Sequence, residues 1–386
     1  MSDYRRIIVT GGSGKAGRWV VRGLAGAGYE VRNVDLVPSV AQISEPPARR
    51  HESSRARLLP HPNPLPPGEG VRGSPRPPGE GARVPFLRAD LTDYGQAVDA
   101  LKGADAVVHL AAIPAPGLAT DEVTFRTNVT STYNVFQAAA TLGLKRVVWA
   151  SSETVLGLPF DKVRPDYAPI DEACTRYPQT AYALSKLVGE ELAKQYARWS
   201  AHSSTPLPPS PLPLRERARV RGRRGSPSPR IKSGAGSQSS PAGRGGTAGI
   251  PFIGLRFSNV IEPGDYARFA GWQDDAKARA WNFWGYVDAR DCAQACQRAL
   301  EAGTAGWADA GPQDSGSNGL AQVFIIAATD TAMRRPNSAL LRDVYPAVLI
   351  RGRLTRNGTL LSIEKARRML GYEPEHSWRT EPTRSS

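Results

Sequence analysis

The chain contains 386 residues, of which 40% are hydrophobic, and has a formal net charge of +14. It is long enough to bury a large core, and its three cysteines, Cys174, Cys292 and Cys296, cannot form the disulfide framework of a small secreted protein. No apolar run approaches the roughly 18 residues of a membrane-spanning helix, and no signal peptide is recognisable. We therefore expect a cytoplasmic protein without membrane contact, with Cys292 and Cys296 as buried small hydrophobic residues and no metal site.

Two segments carry most of the net charge. Residues 44–83 and 201–247 together hold +11 of the +14 and 18 of the 33 prolines, and they are rich in Gly, Ser and Arg. Such a composition buries too little apolar surface to offset the entropy of ordering the chain, so both segments are predicted to be disordered insertions in surface loops. The alternative is an Arg-rich nucleic-acid-binding arm. Because no aromatic stacking residues lie between the arginines, we expect no nucleic-acid partner.

Outside these segments, short apolar strands alternate with amphipathic helices. The predicted elements, in chain order, are strand 6–9, helix 16–26, strands 30–34, 84–87 and 106–110, helix 121–142, strand 146–150, helix 182–198, and strands 252–255 and 323–326. Strands that are apolar throughout, rather than at every second residue, are typical of a parallel sheet covered on both faces. The predicted fold class is therefore doubly wound α/β, with the ligand at the carboxyl ends of the strands.

The first strand leads directly into a glycine-rich loop, Thr10-Gly11-Gly12-Ser13-Gly14-Lys15-Ala16-Gly17. Gly11, Gly14 and Gly17 permit a tight turn, close approach of the backbone to a pyrophosphate, and close packing of helix on strand. The loop therefore predicts a dinucleotide site that includes Ser13. Lys15 is ambiguous, since its side chain could contact phosphate or point to solvent. A glycine turn without a ligand is the structural alternative.

The second and third strands are each followed by an acidic residue. Asp35 lies 18 residues beyond Gly17, where a carboxylate can accept hydrogen bonds from the adenosine ribose and repels a 2′-phosphate, which favours NAD over NADP. Asp90 and Leu91 follow the third strand and are placed to bracket the adenine, although an acid at such a position is often only a helix cap.

Tyr182 and Lys186 are spaced i and i+4 on one predicted helix. A neighbouring cation favours the phenolate, so Lys186 is expected to lower the pKa of Tyr182 and also to reach the nicotinamide ribose, with Tyr182 as the general base in oxidation. Ser151 and Ser152 end the fifth strand, at the ligand-binding edge of the sheet, where a hydroxyl can hold the reacting substrate oxygen.

With these motifs the chain resembles the extended short-chain dehydrogenase/reductase family of NAD-dependent epimerases, dehydratases and dehydrogenases. The matching motifs, in order, are the glycine loop, Asp90-Leu91, His109-Leu110-Ala111-Ala112, Asn128-Val129, Ser151-Ser152, Tyr182 with Lys186, Leu255-Arg256, Asn259-Val260, and Tyr286-Val287-Asp288 with Asp291.

The resemblance implies the roles of individual residues. Ser152, Tyr182 and Lys186 form the implied catalytic triad, with Asn128 as the helix asparagine near the lysine. Ser152 is preferred to Ser151, which stays a possible helper, because the family's serine lies five residues before a glycine, here Gly157. The cofactor residues are predicted to be Gly11, Ser13, Gly14, Lys15, Gly17, Asp35, Asp90, Leu91, Ala111, Tyr182 and Lys186. The implied substrate residues are Ser152, Thr154, Asn259 and Arg268.

The resemblance also implies a domain organisation. Residues 1–43 and 84–200 would form the NAD-binding domain, and residues 248–386 would supply the last sheet strands and a substrate-binding cap. A homodimer is expected through the helices that contain Asn128 and Tyr182.

Departures from the family pattern narrow the expected chemistry. Glu153 and Thr154 stand where the family's dehydratases carry an Asp-Glu pair, which disfavours dehydration. The segment 259–286 is too short for a nucleotide-binding lobe, so the chain resembles the uronate dehydrogenase-like members of the family. A substrate carboxylate could meet one of four arginines, namely Arg256, Arg268, Arg279 or Arg290. Trp281 and Trp284 are candidates for the wall of a sugar pocket or for the core.

The leading hypothesis is therefore NAD-dependent oxidation or reduction of a small sugar, sugar acid or related alcohol. A nucleotide-sugar 4-epimerase is the first alternative. A non-catalytic NAD-binding regulator is the second, although a regulator has no need of the Ser152, Tyr182 and Lys186 set.

Overall fold

The computed structural model describes residues 4–38, 84–160, 162–202, 249–305, 307 and 320–381. The predicted insertion 44–83 and residues 203–247 of the second insertion lie outside the described residues. Ala201 and His202, which the sequence assigned to the second insertion, are the last two residues of a helix.

Strands and helices alternate along the described residues, as the sequence predicted. The strands are β1 (Arg6–Thr10), β2 (Glu30–Asp35), β3 (Phe86–Arg88), β4 (Ala106–His109), β5 (Arg146–Ser152), β6 (Tyr167–Ala168), β7 (Phe252–Phe257), β8 (Val260–Ile261), β9 (Val287–Asp288), β10 (Ala321–Ile326) and β11 (Leu349–Ile350). The α-helices are α1 (Gly17–Gly26), α2 (Tyr94–Leu101), α3 (Asp121–Leu142), α4 (Ala181–His202), α5 (Phe269–Trp272), α6 (Ala289–Glu301), α7 (Asn337–Val344) and α8 (Glu364–Leu370).

Seven of these strands form one sheet in the order β10-β7-β5-β4-β1-β2-β3, and every pair is parallel. The core strands are buried along their whole length, because helices α3 and α4 cover one face while α1 and α6 cover the other. This confirms the doubly wound α/β fold. The strand order reverses between β1 and β4, so the ligand crevice of this fold type lies at their carboxyl ends.

Helix α2 is an element that the sequence reading did not predict. Its start has a local signal, since the Asp93 side chain accepts a hydrogen bond from the Gln96 amide at 2.9 Å and so caps the helix. Only Ala97, Ala100 and Leu101 are buried in this eight-residue helix. So short an apolar face is easily missed when periodicity is the main signal.

Short elements after β7, which we call the cap, contact the loops at the carboxyl ends of β1 and β5 through Asp265 and Asn282. Short helices over 263–282 and the β8–β9 pair form part of this cap, and β11 pairs with β6 beside it. Cys292 and Cys296 are fully buried on α6, which confirms their prediction as small hydrophobic residues. No helix within the described ranges is long and apolar enough to cross a membrane. Within the same ranges, no three His, Cys, Asp or Glu side chains are arranged to hold a metal ion.

Candidate active site

The glycine loop joins β1 to α1 at the point where the strand order reverses. Gly11 has a φ of +71°, and a Cβ atom on it would lie 2.5 Å from the backbone nitrogen of Ala111. A Cβ atom on Gly17 would lie 2.0 Å from the carbonyl oxygen of Gly11. A Cβ atom on Gly14 would lie 3.3 Å from the same carbonyl oxygen of Gly11. Backbone, rather than side chains, therefore lines this cradle, as a bound pyrophosphate at a helix N-terminus requires.

Asp35 ends β2 beside this loop. Its Oδ2 accepts a hydrogen bond from the Ser13 amide at 3.0 Å, and its Oδ1 accepts one from the Leu36 amide at 2.7 Å. The carboxylate is thus held at the edge of the cradle, in the position expected for a ribose acceptor. Lys15 forms an ion pair with the cap, since its Nζ lies 2.6 Å from Asp265 Oδ2. Its side chain is also partly exposed to solvent.

Two further predicted cofactor positions lie on the loops after β3 and β4. Asp90 is exposed and accepts hydrogen bonds from the Thr92 amide and hydroxyl at 2.9 and 2.7 Å. Leu91 is buried, and its carbonyl accepts from Asn134 Nδ2 at 2.9 Å. Ala111 is half-buried and packs against Gly11. The structure thus brings the loops after β1 and β4 into contact, at the crevice predicted for the cofactor.

Ser152 is the last residue of β5 and caps the short 3-10 helix Glu153–Leu156. Its Oγ accepts hydrogen bonds from the Thr154 amide at 3.2 Å and the Thr154 hydroxyl at 3.0 Å. Ser151 instead donates to Glu190 Oε1 at 2.7 Å, inside the core. Ser152 therefore lies at the carboxyl end of β5 with its hydroxyl held by Thr154, whereas the Ser151 hydroxyl is hydrogen-bonded to Glu190.

Tyr182 lies in the first turn of α4, where the Thr180 hydroxyl accepts a hydrogen bond from the Ala183 amide at 3.0 Å. Burial raises the pKa of Tyr182 to about 12, partly offset by its hydrogen bond to Ser152 and increased by the nearby carboxylate of Glu153. The expectation that Lys186 lowers this pKa does not hold, because desolvation of the phenolate dominates.

Lys186 lies one turn further along α4. Its Nζ donates to the Ala150 carbonyl at 2.8 Å and lies 5.7 Å from the centre of the Tyr182 ring. Burial lowers the pKa of Lys186 to about 8. Beneath it, burial and the Lys186 charge lower the pKa of His109 to about 3, so His109 is a neutral partner of Thr10 and Thr132.

Asn128 holds the loop after β4 against α4. Its Oδ1 accepts from the Ile113 amide at 2.8 Å, while its Nδ2 donates to the Ile113 carbonyl at 3.1 Å and to Ser185 Oγ at 3.3 Å. The Asn128 side chain therefore connects the loop after β4 to Ser185, the residue before Lys186.

The four candidate arginines differ in what they contact. Arg256 is 1% exposed and forms two hydrogen bonds of 2.8 Å with Glu190, and Arg290 pairs with Asp288 and Glu381. Internal carboxylates therefore neutralise both of these charges. The Arg268 side chain is 66% exposed and lies 3.5 Å from Asp265. Arg279 is buried, with its guanidinium 4.2 Å from the Trp272 ring and 5.1 Å from the Trp281 ring.

Glu153 is a buried acid next to Ser152 for which the sequence indicated no binding role. Its Oε1 accepts a hydrogen bond from Asn282 Nδ2 at 3.1 Å. Burial raises the pKa of Glu153 to about 7, opposed by Ser258, Asn282 and the charge of Arg279. The acid at position 153 was the only sequence signal of this cluster.

Trp284 is fully buried in the core, whereas Trp281 is half-buried beside Arg279. Asn259 lies nearby, with its carbonyl accepting from the Val287 amide at 3.0 Å.

Comparison with known proteins gives one family. A sequence profile described as the NAD dependent epimerase/dehydratase family matches residues 7–207, more than half of the chain. The family requires NAD, and the glycine cradle, Asp35 and Lys186 are a fitting set of residues to hold it. NAD is therefore the cofactor of this chain.

Curated relatives include dehydrogenases of several kinds. L-arabinose 1-dehydrogenase (NAD(P)(+)) of Haloferax volcanii is 36% identical over 115 residues, which cover 28% of this chain and 45% of that protein. 3beta-hydroxysteroid-dehydrogenase/decarboxylase isoform 2 of Arabidopsis thaliana is 31% identical over 49% of this chain and 29% of its own length. Uronate dehydrogenase of Pseudomonas putida is 30% identical over a region that covers 50% of this chain and 56% of that protein. The chain thus spans less than two thirds of each relative.

Solved structures share the fold over nearly the whole chain. A short-chain dehydrogenase/reductase superfamily protein from Agrobacterium tumefaciens with bound NAD is 20% identical, with a TM-score of 0.55 over 97% of this chain and 94% of that one. A mutated uronate dehydrogenase is 17% identical, with a TM-score of 0.51 over 97% of this chain and 83% of that one.

Proposed function

Since this chain belongs to the NAD dependent epimerase/dehydratase family, we propose that it transfers hydride between NAD and a hydroxyl of a small sugar, sugar acid or related alcohol. The observation that supports this is the grouping of Ser152, Tyr182 and Lys186 at the carboxyl edge of β5, close to the glycine cradle. A serine hydroxyl, a phenol and a buried cation at one edge form a proton-transfer site.

Each residue has a separate task in this proposal. When bound, NAD supplies the hydride acceptor. Ser152 Oγ holds the substrate oxygen, and Tyr182 Oη takes the hydroxyl proton in oxidation or returns it in reduction. Because burial raises the pKa of Tyr182 to about 12, its proton is held at neutral pH, and the oxidation rate is expected to rise with pH. Lys186 supplies the compensating positive charge, and Asn128 is a positioning residue.

The reaction is tested by following the nicotinamide absorbance. Net formation of NADH from free aldoses, uronic acids or related alcohols supports a dehydrogenase. Interconversion of UDP-glucose and UDP-galactose without net NADH supports the 4-epimerase instead. A protein that binds NAD but converts neither class of substrate would be a regulator rather than an enzyme.

Asp35→Ala is expected to weaken NAD binding about ten-fold and to reduce the preference for NAD over NADP. In the parent protein, the Asp35 carboxylate would accept hydrogen bonds from the adenosine ribose and repel a 2′-phosphate, and the variant lacks both effects. Calorimetric titration of both cofactors checks this. The control is Asp99→Asn, which removes the charge of an exposed carboxylate on α2. A parent protein that already prefers NADP would show the role given to Asp35 to be wrong.

The proposed assembly is a homodimer that pairs through α3 and α4. Large apolar side chains remain exposed on these helices, with Tyr133 at 43%, Leu184 at 43% and Trp199 at 42%. Exposed apolar side chains on two neighbouring helices favour an interaction surface there. Light scattering after size-exclusion chromatography measures the mass directly, and a monomer at working concentrations contradicts the proposal.

A further inference from the structure

A cluster of charged side chains joins the cap to the glycine loop and the first turn of α1. Glu262 Oε1 accepts hydrogen bonds from Arg18 Nε and Trp19 Nε1, both at 2.8 Å, and also from Arg18 Nη2. Three residues further along the cap, Asp265 Oδ2 lies 2.6 Å from Nζ of Lys15, in the glycine loop itself. We call these five residues the latch.

The latch is one end of a bridge across the cofactor crevice. At the other end, Asn282 Nδ2 donates to Glu153 Oε1 at 3.1 Å, next to Ser152. The two ends follow β1 and β5, which are separated by β4 in the sheet. A dinucleotide in this fold type extends across the same strands, with its pyrophosphate at the glycine loop. Segment 262–282 of the cap therefore spans the part of the crevice in which NAD is expected to lie.

The two ends of the bridge differ in how easily they can separate. Glu153 and Asn282 are at most 3% exposed. In the latch, the side chains of the two carboxylates are 19% and 23% exposed, and those of their two basic partners are 39% and 43% exposed. Water can therefore replace the latch contacts at a small net cost, whereas separating the buried end would leave polar groups unsatisfied. If the cap opens, it opens at the latch.

The packing of the cap does not depend on the latch. Tyr266 Oη donates to Asp288 Oδ2 at 2.6 Å, and the fully buried Phe269 ring lies 5.2 Å from the Tyr286 ring and 5.4 Å from the Trp378 ring. All of these residues come from the chain after β7. An open latch therefore leaves these contacts in place, and only the seam between the cap and the glycine loop is lost.

We propose that Glu262 and Asp265 are positioning residues for the cofactor, which fasten the cap over bound NAD and so set the rate at which the cofactor is exchanged. The two carboxylates act through Lys15, Arg18 and Trp19 and do not touch the reacting atoms. This inference rests on NAD as the cofactor, and only its consequence for turnover rests on the proposed function. A dehydrogenase must release NADH after each oxidation, so opening of the latch is expected to limit its turnover.

The test measures how fast NADH leaves the protein. Protein loaded with NADH is mixed with excess NAD in a stopped-flow instrument, and the loss of bound-NADH fluorescence gives the dissociation rate. Glu262→Gln keeps the shape of the side chain but removes the charge that binds Arg18, and we expect it to speed dissociation by about ten-fold. Association should be accelerated as well, because the same contacts obstruct entry, so the affinity for NADH changes less than either rate.

A double variant ties the effect to the latch. Arg18→Gln removes the opposite charge of the same pair and should speed dissociation to a similar extent. Since the two residues act through one contact, the protein with both changes should release NADH no more than about two-fold faster than either single variant, whereas independent effects would multiply to about a hundred-fold. A merely structural role would lower the melting temperature without this non-additive change in rate.

The matched control is Glu30→Gln. It removes an exposed ion pair with Arg5 at the amino ends of β1 and β2, away from the crevice, and should leave both rates unchanged. If Glu262→Gln lowers the melting temperature strongly, Asp265→Asn carries the test. That variant breaks the partly exposed pair with Lys15, and we expect it to speed dissociation by about three-fold.

Several results overturn the latch. These are a dissociation rate that neither Glu262→Gln nor Arg18→Gln changes, effects that multiply in the double variant, or an equal acceleration by Glu30→Gln. Faster release in the latch variants, with no NADH formed by the parent protein from any sugar or alcohol, leaves the latch standing and rejects the proposed function. NADH formation by the parent with a release rate that no latch variant changes does the reverse.

Discussion

Tyr182→Phe is expected to lower turnover by about a hundred- to ten-thousand-fold, the range that a positioned general acid or base contributes. The phenyl ring keeps the packing of α4 and its contact with Lys186, whereas the hydroxyl that exchanges the substrate proton is lost. NAD affinity should therefore change by less than about two-fold, because the Tyr182 ring and its contact with Lys186 remain in place. Steady-state kinetics and a cofactor titration on the same preparation measure both quantities.

A matched control is available on α3, the helix that packs against α4. Tyr133→Phe removes an exposed hydroxyl from α3, and its turnover should equal that of the parent. If Tyr182→Phe retained activity within a few-fold of the parent, another group would have to carry the proton, and the assignment of Tyr182 would be wrong.

Gly17→Ala is expected to weaken NAD binding by about ten- to hundred-fold, which corresponds to the 1–3 kcal/mol typical of overpacking a tight site. The added Cβ atom would lie 2.0 Å from the Gly11 carbonyl oxygen and 2.7 Å from the Gly12 Cα, so the loop must move away from the helix. Both neighbours are backbone atoms, which cannot rotate aside. Calorimetry with NAD, together with thermal unfolding of the free protein, measures the effect.

Gly26→Ala provides the control in the same helix. A Cβ atom on Gly26 meets no atom within 4 Å, and the residue ends α1 away from the loop. We expect unchanged NAD affinity and a stability gain of up to about 1 kcal/mol from the lower entropy of the unfolded chain. Equal cofactor affinity in the Gly17 and Gly26 variants would contradict the role of the cradle.

The sequence by itself determined the fold and singled out the glycine-rich loop to which we assign cofactor binding. Both follow from local signals, namely short strands apolar throughout, helices of period 3.6 and glycines at fixed spacing, which the chain carries within short windows. The strand boundaries moved by at most a few residues between prediction and structure, as in β3, which was expected at 84–87 and spans Phe86–Arg88. The choice of Ser152 over Ser151 came from the family resemblance, through the spacing to Gly157, and stays a prediction.

Only the tertiary structure decided which charged residues are available to a substrate. Glu153 and Asn282 are 129 residues apart in sequence, so nothing local indicates that their side chains meet. Arg256 has the residue type of a carboxylate ligand, yet its partner is Glu190, 66 residues earlier in the chain. Lys15 likewise pairs with Asp265 of the cap. Pairing and burial also fix the pKa of Tyr182, because desolvation depends on every segment that packs around the phenol, whereas the spacing to Lys186 describes only one neighbour.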